Sequence, residues 1–306
     1  MRELMDTAIK YYFVILFMLT TSLAYGAQNE ELDNSYANTA EQLACPPDSP
    51  PADLEHETID AFFSLYQPYL TNISAYQPIY FLVGTDPEKS KYQVSFKYRF
   101  LKIDCELARK QPWLTGFHFG YTQTSFWDLK SDSMPFEDNS YKPEFFHVTR
   151  NIKSRASWLQ GLFLKSGFEH ESNGKSDVDS RNINIVYVQP ISIFYSSKTK
   201  YGLSFSPRVW TYFSTGDHNP DIEDYRGYFD VDLKIGKADG FVFSSLFGWA
   251  RKGGSVQLDL TLPVSRTWFE NVNMYFHVQY VSALAESLIQ YQERTEAVRI
   301  GFSFVR

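Results

Sequence analysis

The chain reads as all-β, a twelve-stranded antiparallel transmembrane β-barrel, and three observations predict it. Apolar and polar residues alternate with period two: in YQVSFKYRF, Tyr92, Val94, Phe96, Tyr98 and Phe100 share one face, while Gln93, Ser95, Lys97 and Arg99 share the other. That is the pattern of a strand with one apolar and one polar side. Such segments, separated by turn residues, number about twelve, most of them about ten residues long, which suits tilted strands crossing a bilayer. After residue 30 no apolar run approaches the roughly 18 residues of a membrane helix, so if the chain spans a membrane it does so with strands. A soluble barrel or sandwich alternates in the same way. Twelve faces of Phe, Tyr, Val and Leu in a chain that is 17% aromatic are a larger surplus than a small extension could cover, which favours lipid.

Taken in order, residues 1–26 read as a secretory signal. Arg2 and Lys10 flank the start, an apolar stretch runs from Tyr11 to Leu19, and Ala24-Tyr25-Gly26 offers a small-residue cleavage site. Glu3 and Asp6 dilute the positive charge, so a retained anchor is the alternative. Residues 27–72 form an acidic, Pro-containing extension on the periplasmic side. From Gln28 to Asn72 there are nine acidic residues, no Lys or Arg, and the run CPPDSPPAD, a solvated composition. Residues 73–306 carry the barrel. Its strands are expected near 73–84, 91–102, 113–127, 142–150, 158–172, 181–195, 201–214, 223–236, 240–250, 254–264, 271–284 and 295–305. Trp127, Trp210, Trp249 and Trp268 fall near strand ends, where interfacial aromatic girdles sit.

The net charge of -7 argues against nucleic-acid binding, which needs a basic surplus. Cys45 and Cys105 are too few for a disulfide framework and lack metal-site spacing; one bridge and two thiols are both open. His118, His147 and His277 lie inside strands, and a lumen-facing hydrogen-bond network explains His277 better than a metal does. His218 is a loop residue, and KGGS at 252–255 is a turn with no phosphate-binding context.

The stretch FEHESNGKSDVDSRNIN at 168–184 stands apart. Alternation places His170 and Ser172 with Leu162, Leu164 and Phe168 on the lipid side, and Lys165, Glu169 and Glu171 on the other. Polar residues on that side are costly, unless they mark the wet end of the strand. An imidazole beside a serine can take its proton, provided a third group fixes the imidazole's tautomer and angle. Asn184, early in the next strand and on one face with Val186 and Val188, is a candidate for that third group.

His170, Ser172, Asn173, Gly174 and Asn184, together with YTQTSFW at 121–127, NPDIEDYRGYFDVDLKIG at 219–236 and AESLIQY at 285–291, resemble the outer-membrane phospholipase A family of Gram-negative bacteria. The resemblance runs from about Ala75 to the C-terminus. It implies an outer-membrane barrel whose Ser-His-Asn triad hydrolyses phospholipid acyl esters, with Ser172 the nucleophile, His170 the base and Asn184 its orienter. It further implies oxyanion stabilisation by the Gly174 amide with calcium-bound water. The calcium ligands would be Ser180, the Lys175 carbonyl and, from a partner subunit, Ser133. The active form would be a homodimer with Gln123 in its interface. Asp177 and Asp179 are either further oxygen ligands or plain turn residues. The alternative from another class is a barrel without catalysis, a pore or an adhesin.

Overall fold

The alternation of the sequence becomes pairing in the fold. The computed structural model describes residues 72–103, 105–152, 158–264 and 273–306. The signal, the extension up to residue 71 with Cys45, and Trp268 lie outside the described residues. Among those residues there are thirteen strands in one antiparallel sheet. They are β1 (Ile73–Ala75), β2 (Ile79–Gly84), β3 (Ser90–Arg99), β4 (Phe117–Trp127), β5 (Phe136–Val148), β6 (Leu159–Ser172), β7 (Asn182–Tyr195), β8 (Gly202–Thr215), β9 (Phe229–Gly236), β10 (Val242–Ala250), β11 (Gly253–Pro263), β12 (Tyr275–Leu284) and β13 (Arg294–Val305). From β2 onward each strand pairs with its sequence neighbours, and β13 returns to β2 to close the barrel. From β2 to β13 every strand is thereby paired on both sides, the condition a sheet must meet in lipid.

The count of twelve is kept because β1 and β2 are two pieces of one stave. Both lie along β3, with Ile73 opposite Tyr98 and Tyr80 opposite Gln93, and the break falls at Tyr76-Gln77-Pro78. Pro78 has no N–H for the ladder, and the Gln77 amide donates instead to Ser95 Oγ at 3.1 Å. The break turns Tyr76 into the lumen, where its hydroxyl donates to Glu144 at 2.5 Å and its ring stacks on Phe146 at 5.1 Å.

Other strand limits differ from expectation for local reasons. Pro112–Gly116 winds into a 3-10 turn, so β4 starts at Phe117. The expected strand at 142–150 begins earlier, at Phe136. Glu223–Arg226 form a one-turn helix, α1, ended by Gly227 at φ 76°, so β9 starts only at Phe229.

Outward faces carry exposed Phe81, Val94, Phe96, Phe145, Phe168, Phe205 and Val209, the side chains expected to meet lipid. Inward faces hold paired charges: Lys165 with Glu144 at 2.9 Å, Lys91 with Glu286 at 2.9 Å and Arg208 with Asp230 at 2.9 Å. His277 joins this lining, bonded to Ser303 at 2.6 Å and Asp259 at 2.8 Å. At the end where β6 meets β7, an apolar plug packs inside the barrel, built from Phe146, Ile183, Ile185, Tyr187, Trp210, Tyr212, Ile222, Leu288 and Tyr291. Trp210 is thus no girdle residue. It is 5% exposed and points inward, because its place in the alternation matches Tyr212 rather than the exposed Val209. Trp249, 58% exposed, does face outward.

Candidate active site

The hairpin of β6 and β7 sets His170 directly opposite Asn184, and Ser172 opposite Asn182. His170 Nδ1 lies 2.8 Å from Asn184 Oδ1; with the proton on Nδ1 donated to that oxygen, Nε2 is left as the basic nitrogen. Ser172 follows His170 by two residues on the same face, roughly 7 Å along the backbone. All three side chains lie on the outward side, and Asn184 shares it with Val186 and Val188. Ile183 and Ile185 are the inward residues, buried in the plug.

The strand is held from behind. Glu171, between His170 and Ser172, points into the lumen and is 1% exposed. It accepts from Ser140 Oγ at 2.6 Å and from Arg226 at 2.6 Å, with Lys142 at 3.5 Å. Paired in this way, a buried carboxylate fixes β6 to β5 and to α1; unpaired, it would be costly.

Beyond Ser172 the chain turns through a loop centred on Asn173, which is 2% exposed. Its side-chain oxygen accepts from the Arg181 amide at 3.0 Å and the Lys175 amide at 3.3 Å, and its Nδ2 donates to the Asp179 carbonyl at 2.8 Å. Gly174 has φ 69°, a left-handed conformation that favours glycine, and a Cβ there would meet the Tyr141 ring at 2.8 Å. Ser180 donates its amide to the Asp177 carbonyl at 3.1 Å. The Lys175 ammonium is drawn away to the Glu137 carbonyl at 2.6 Å. Asp177, Val178 and Asp179 are exposed.

A second asparagine joins this loop to its neighbour. Asn219, fully buried, accepts from the Asn182 amide at 3.2 Å and donates to the Asn182 carbonyl at 2.9 Å. Beside it, Asp221 accepts from the Tyr291 hydroxyl at 2.5 Å; burial first, then Asp221, pushes that phenol up to about 12. Neither hub has a pattern of its own: Asn173 and Asn219 sit among turn residues, and what they bind is set by the folded loops.

Gln123 lies on the outward face of β4, opposite Tyr141 in register. Tyr121 donates to it at 3.2 Å, it donates to Ser125 at 3.3 Å, and Ser125 donates to Asn139 at 2.6 Å. This is a polar row on an otherwise apolar side. Tyr141 pairs in turn with Ser172, so the row reaches the His170–Ser172 face. Ser133 is exposed in the loop after β4. In that loop Asp128 accepts from the Ser131 hydroxyl, and from the amides of Lys130 at 2.8 Å and Ser131 at 3.1 Å. The Ser131 hydroxyl, followed by the Lys130 amide, holds the Asp128 carboxyl below the usual range. Among the described residues no three His, Cys, Asp or Glu side chains converge on a metal site.

Residues 67–304 match the family model described as phospholipase A1. A putative phospholipase A1 of Neisseria meningitidis serogroup B is 33% identical over 227 residues, 71% of this chain and 54% of that protein. Phospholipase A1 of Salmonella typhimurium is 31% identical over 186 residues, 59% of each chain. The chain therefore spans a little over half the length of these curated relatives. Among solved structures, outer membrane phospholipase A from Escherichia coli matches with TM-score 0.62 at 22% identity, over 78% of this chain and 96% of that one. A Salmonella typhi outer membrane phospholipase dimer with bound calcium matches with TM-score 0.61 at 23% identity, over 76% and 92%. Those two likenesses bear on the fold, a closed antiparallel barrel in each comparison. With the family model matched from the broken first stave to the last strand, the chain belongs to the phospholipase A1 family.

Proposed function

We propose that this chain is an outer-membrane phospholipase that hydrolyses acyl esters of phospholipids and lysophospholipids, at either glycerol position, from the lipid side of the barrel. The observation that carries the reading is the His170–Asn184 hydrogen bond of 2.8 Å on the outward face, beside Ser172. In this mechanism Ser172 Oγ attacks the ester carbonyl while His170 Nε2 takes its proton. The tetrahedral intermediate collapses as the imidazolium returns that proton to the departing glycerol oxygen. Water, deprotonated by the same nitrogen, then releases the fatty acid and frees Ser172. Asn184 carries no charge, so its contribution is the angle and tautomer of the imidazole rather than stabilisation of the imidazolium. The Gly174 amide is the candidate oxyanion donor, placed by a backbone turn that a side chain would strain.

The loop fits a hard cation. The Lys175 carbonyl and the Ser180 hydroxyl are oxygen donors of the kind calcium takes, and the Lys175 ammonium is held away at Glu137. Calcium bound there supplies positive charge beside the developing oxyanion. Ser131 is engaged by Asp128, while Ser133 is exposed on the same end of the barrel, available to a second copy. In this reading the active form is a homodimer, with Gln123 giving the outward face a polar contact.

The test is release of fatty acid from phospholipid micelles with calcium present. Ser172→Ala is expected to lower the rate by about a thousandfold or more with the barrel folded. A pore or adhesin would be indifferent to that substitution, and a wild-type protein that releases nothing would overturn the enzyme reading.

A further inference from the structure

Asn184 has a second partner. Its Nδ2 donates to Ser214 Oγ at 2.9 Å, and Ser214 lies directly opposite Asn184 in the β7–β8 register. Strict alternation along β8 would place Ser214 with Trp210 and Tyr212, which point into the lumen plug. It faces outward because the register shifts by one residue there. Asn184 pairs with Ser214, but Ile185 pairs with Tyr212, so Phe213 is the extra residue of a β-bulge. Bulges re-aim side chains in this way and collect beside active sites.

We propose that Ser214 is a positioning residue for the triad, acting through Asn184. The inference rests on the reading of Ser172, His170 and Asn184 as catalytic. A carboxylate in the third position offers two equivalent oxygens, so rotation of the group costs the imidazole little. A neutral amide has one oxygen, and it serves the imidazole only while its plane is held. Ser214 completes the far end of that amide, since a hydroxyl both donates and accepts. The contact is exposed on the outer face, where water can substitute for it when the site is open. Once a lipid lies over the triad, water leaves, and the Ser214 hydroxyl remains as the protein's own partner for the Asn184 N–H. Without it that donor is left unsatisfied in an apolar setting, and the amide turns away from His170.

The experiment is a double-mutant cycle on the full-length barrel, with fatty acid release from phosphatidylcholine micelles measured at saturating calcium. Ser214→Ala is expected to lower kcat by about three- to tenfold with KM little changed, and Ser214→Thr to stay within about twofold of wild type. In the Asn184→Ala background, Ser214→Ala is expected to change nothing further. An unchanged kcat in Ser214→Ala, the same loss in Ser214→Thr, or an undiminished loss in the Asn184→Ala background would each overturn the proposal. Failure of the underlying enzyme reading looks different: wild-type and Ser172→Ala proteins would then release fatty acid equally, or not at all.

Discussion

Gly174 shows how much of this site depends on a single backbone angle. At φ 69°, with Tyr141 2.8 Å from where a Cβ would stand, alanine costs roughly 1–2 kcal/mol in conformation before any clash is counted. Gly174→Ala is therefore expected to lower kcat by at least tenfold in the micelle assay, while the unfolding midpoint of the barrel moves little, because the exposed loop relaxes away from the strained angle and leaves the ladder paired. At this scale the sequence was partly legible. The shared outward face of His170 and Ser172, and Asn184 opposite His170, could be read because the phase of the two strands is regular up to that point; their proposed roles came from the resemblance. Ser214 could not, because one bulged residue inverts its facing, and alternation carries no mark of a bulge.

Among elements, the loop from Asn173 to Arg181 behaves as a unit with an asparagine at its centre. Removing the Asn173 amide deletes its bonds to Lys175, Asp179 and Arg181 together, each worth about 0.5–1.5 kcal/mol. Asn173→Ala is expected to speed hydrogen exchange at the amides of residues 174–181 and leave those of β10 and β11 unchanged, as read by mass spectrometry. The sequence marks this segment as a turn through its Gly, Asn, Asp and Ser content, yet composition does not say which asparagine is buried. The same limit explains Trp210. A tryptophan near a strand end suits a girdle, but its facing is decided by its strand phase, and that phase puts it beside Tyr187 and Tyr212 in the plug. The break at Tyr76-Gln77-Pro78 is marked by its proline, while the inward swing of Tyr76 depends on Glu144, 68 residues away.

For the whole molecule, the lumen charges set the response to acid. Glu286 lies in the loop between β12 and β13 and is bonded to Lys91 at 2.9 Å and to Arg299 at 2.7 Å. Burial alone would raise its carboxyl, but Lys91 and Arg299 hold it down at about 2, against an ordinary 4.5. A lowered acid stabilises the fold above its ordinary value and loses that contribution as pH falls through its folded one. On the order of 3 kcal/mol should therefore drain away between about pH 4.5 and 2. The urea midpoint of the barrel in detergent is expected to fall over that window in the wild type. Glu286→Gln should be less stable at neutral pH, having left two buried cations unpaired, and flatter below pH 4.5. The fold class was legible from alternation, segment count and the surplus of apolar faces taken together. The lumen pairings were not, because polar faces announce themselves in a sequence but their partners across the barrel do not.

The seam between the first and last staves has a further consequence, for the order of assembly. Arg299 reaches the Lys89 carbonyl across 210 residues of chain, and the Thr85 amide donates to Val298 at 2.8 Å, whereas His170 and Asn184 meet within one hairpin. Short-range contacts close sooner than long-range ones. The β6–β7 hairpin can thus form early, while contacts around it mature late: Arg226 behind Glu171 is 55 residues away, and the Ile289 amide reaches Asp138 of β5 across 151 residues. A chain in which this hairpin has formed but those contacts have not would hold His170, Ser172 and Asn184 without the packing behind them, so on the proposed reading the site is complete only once the barrel is.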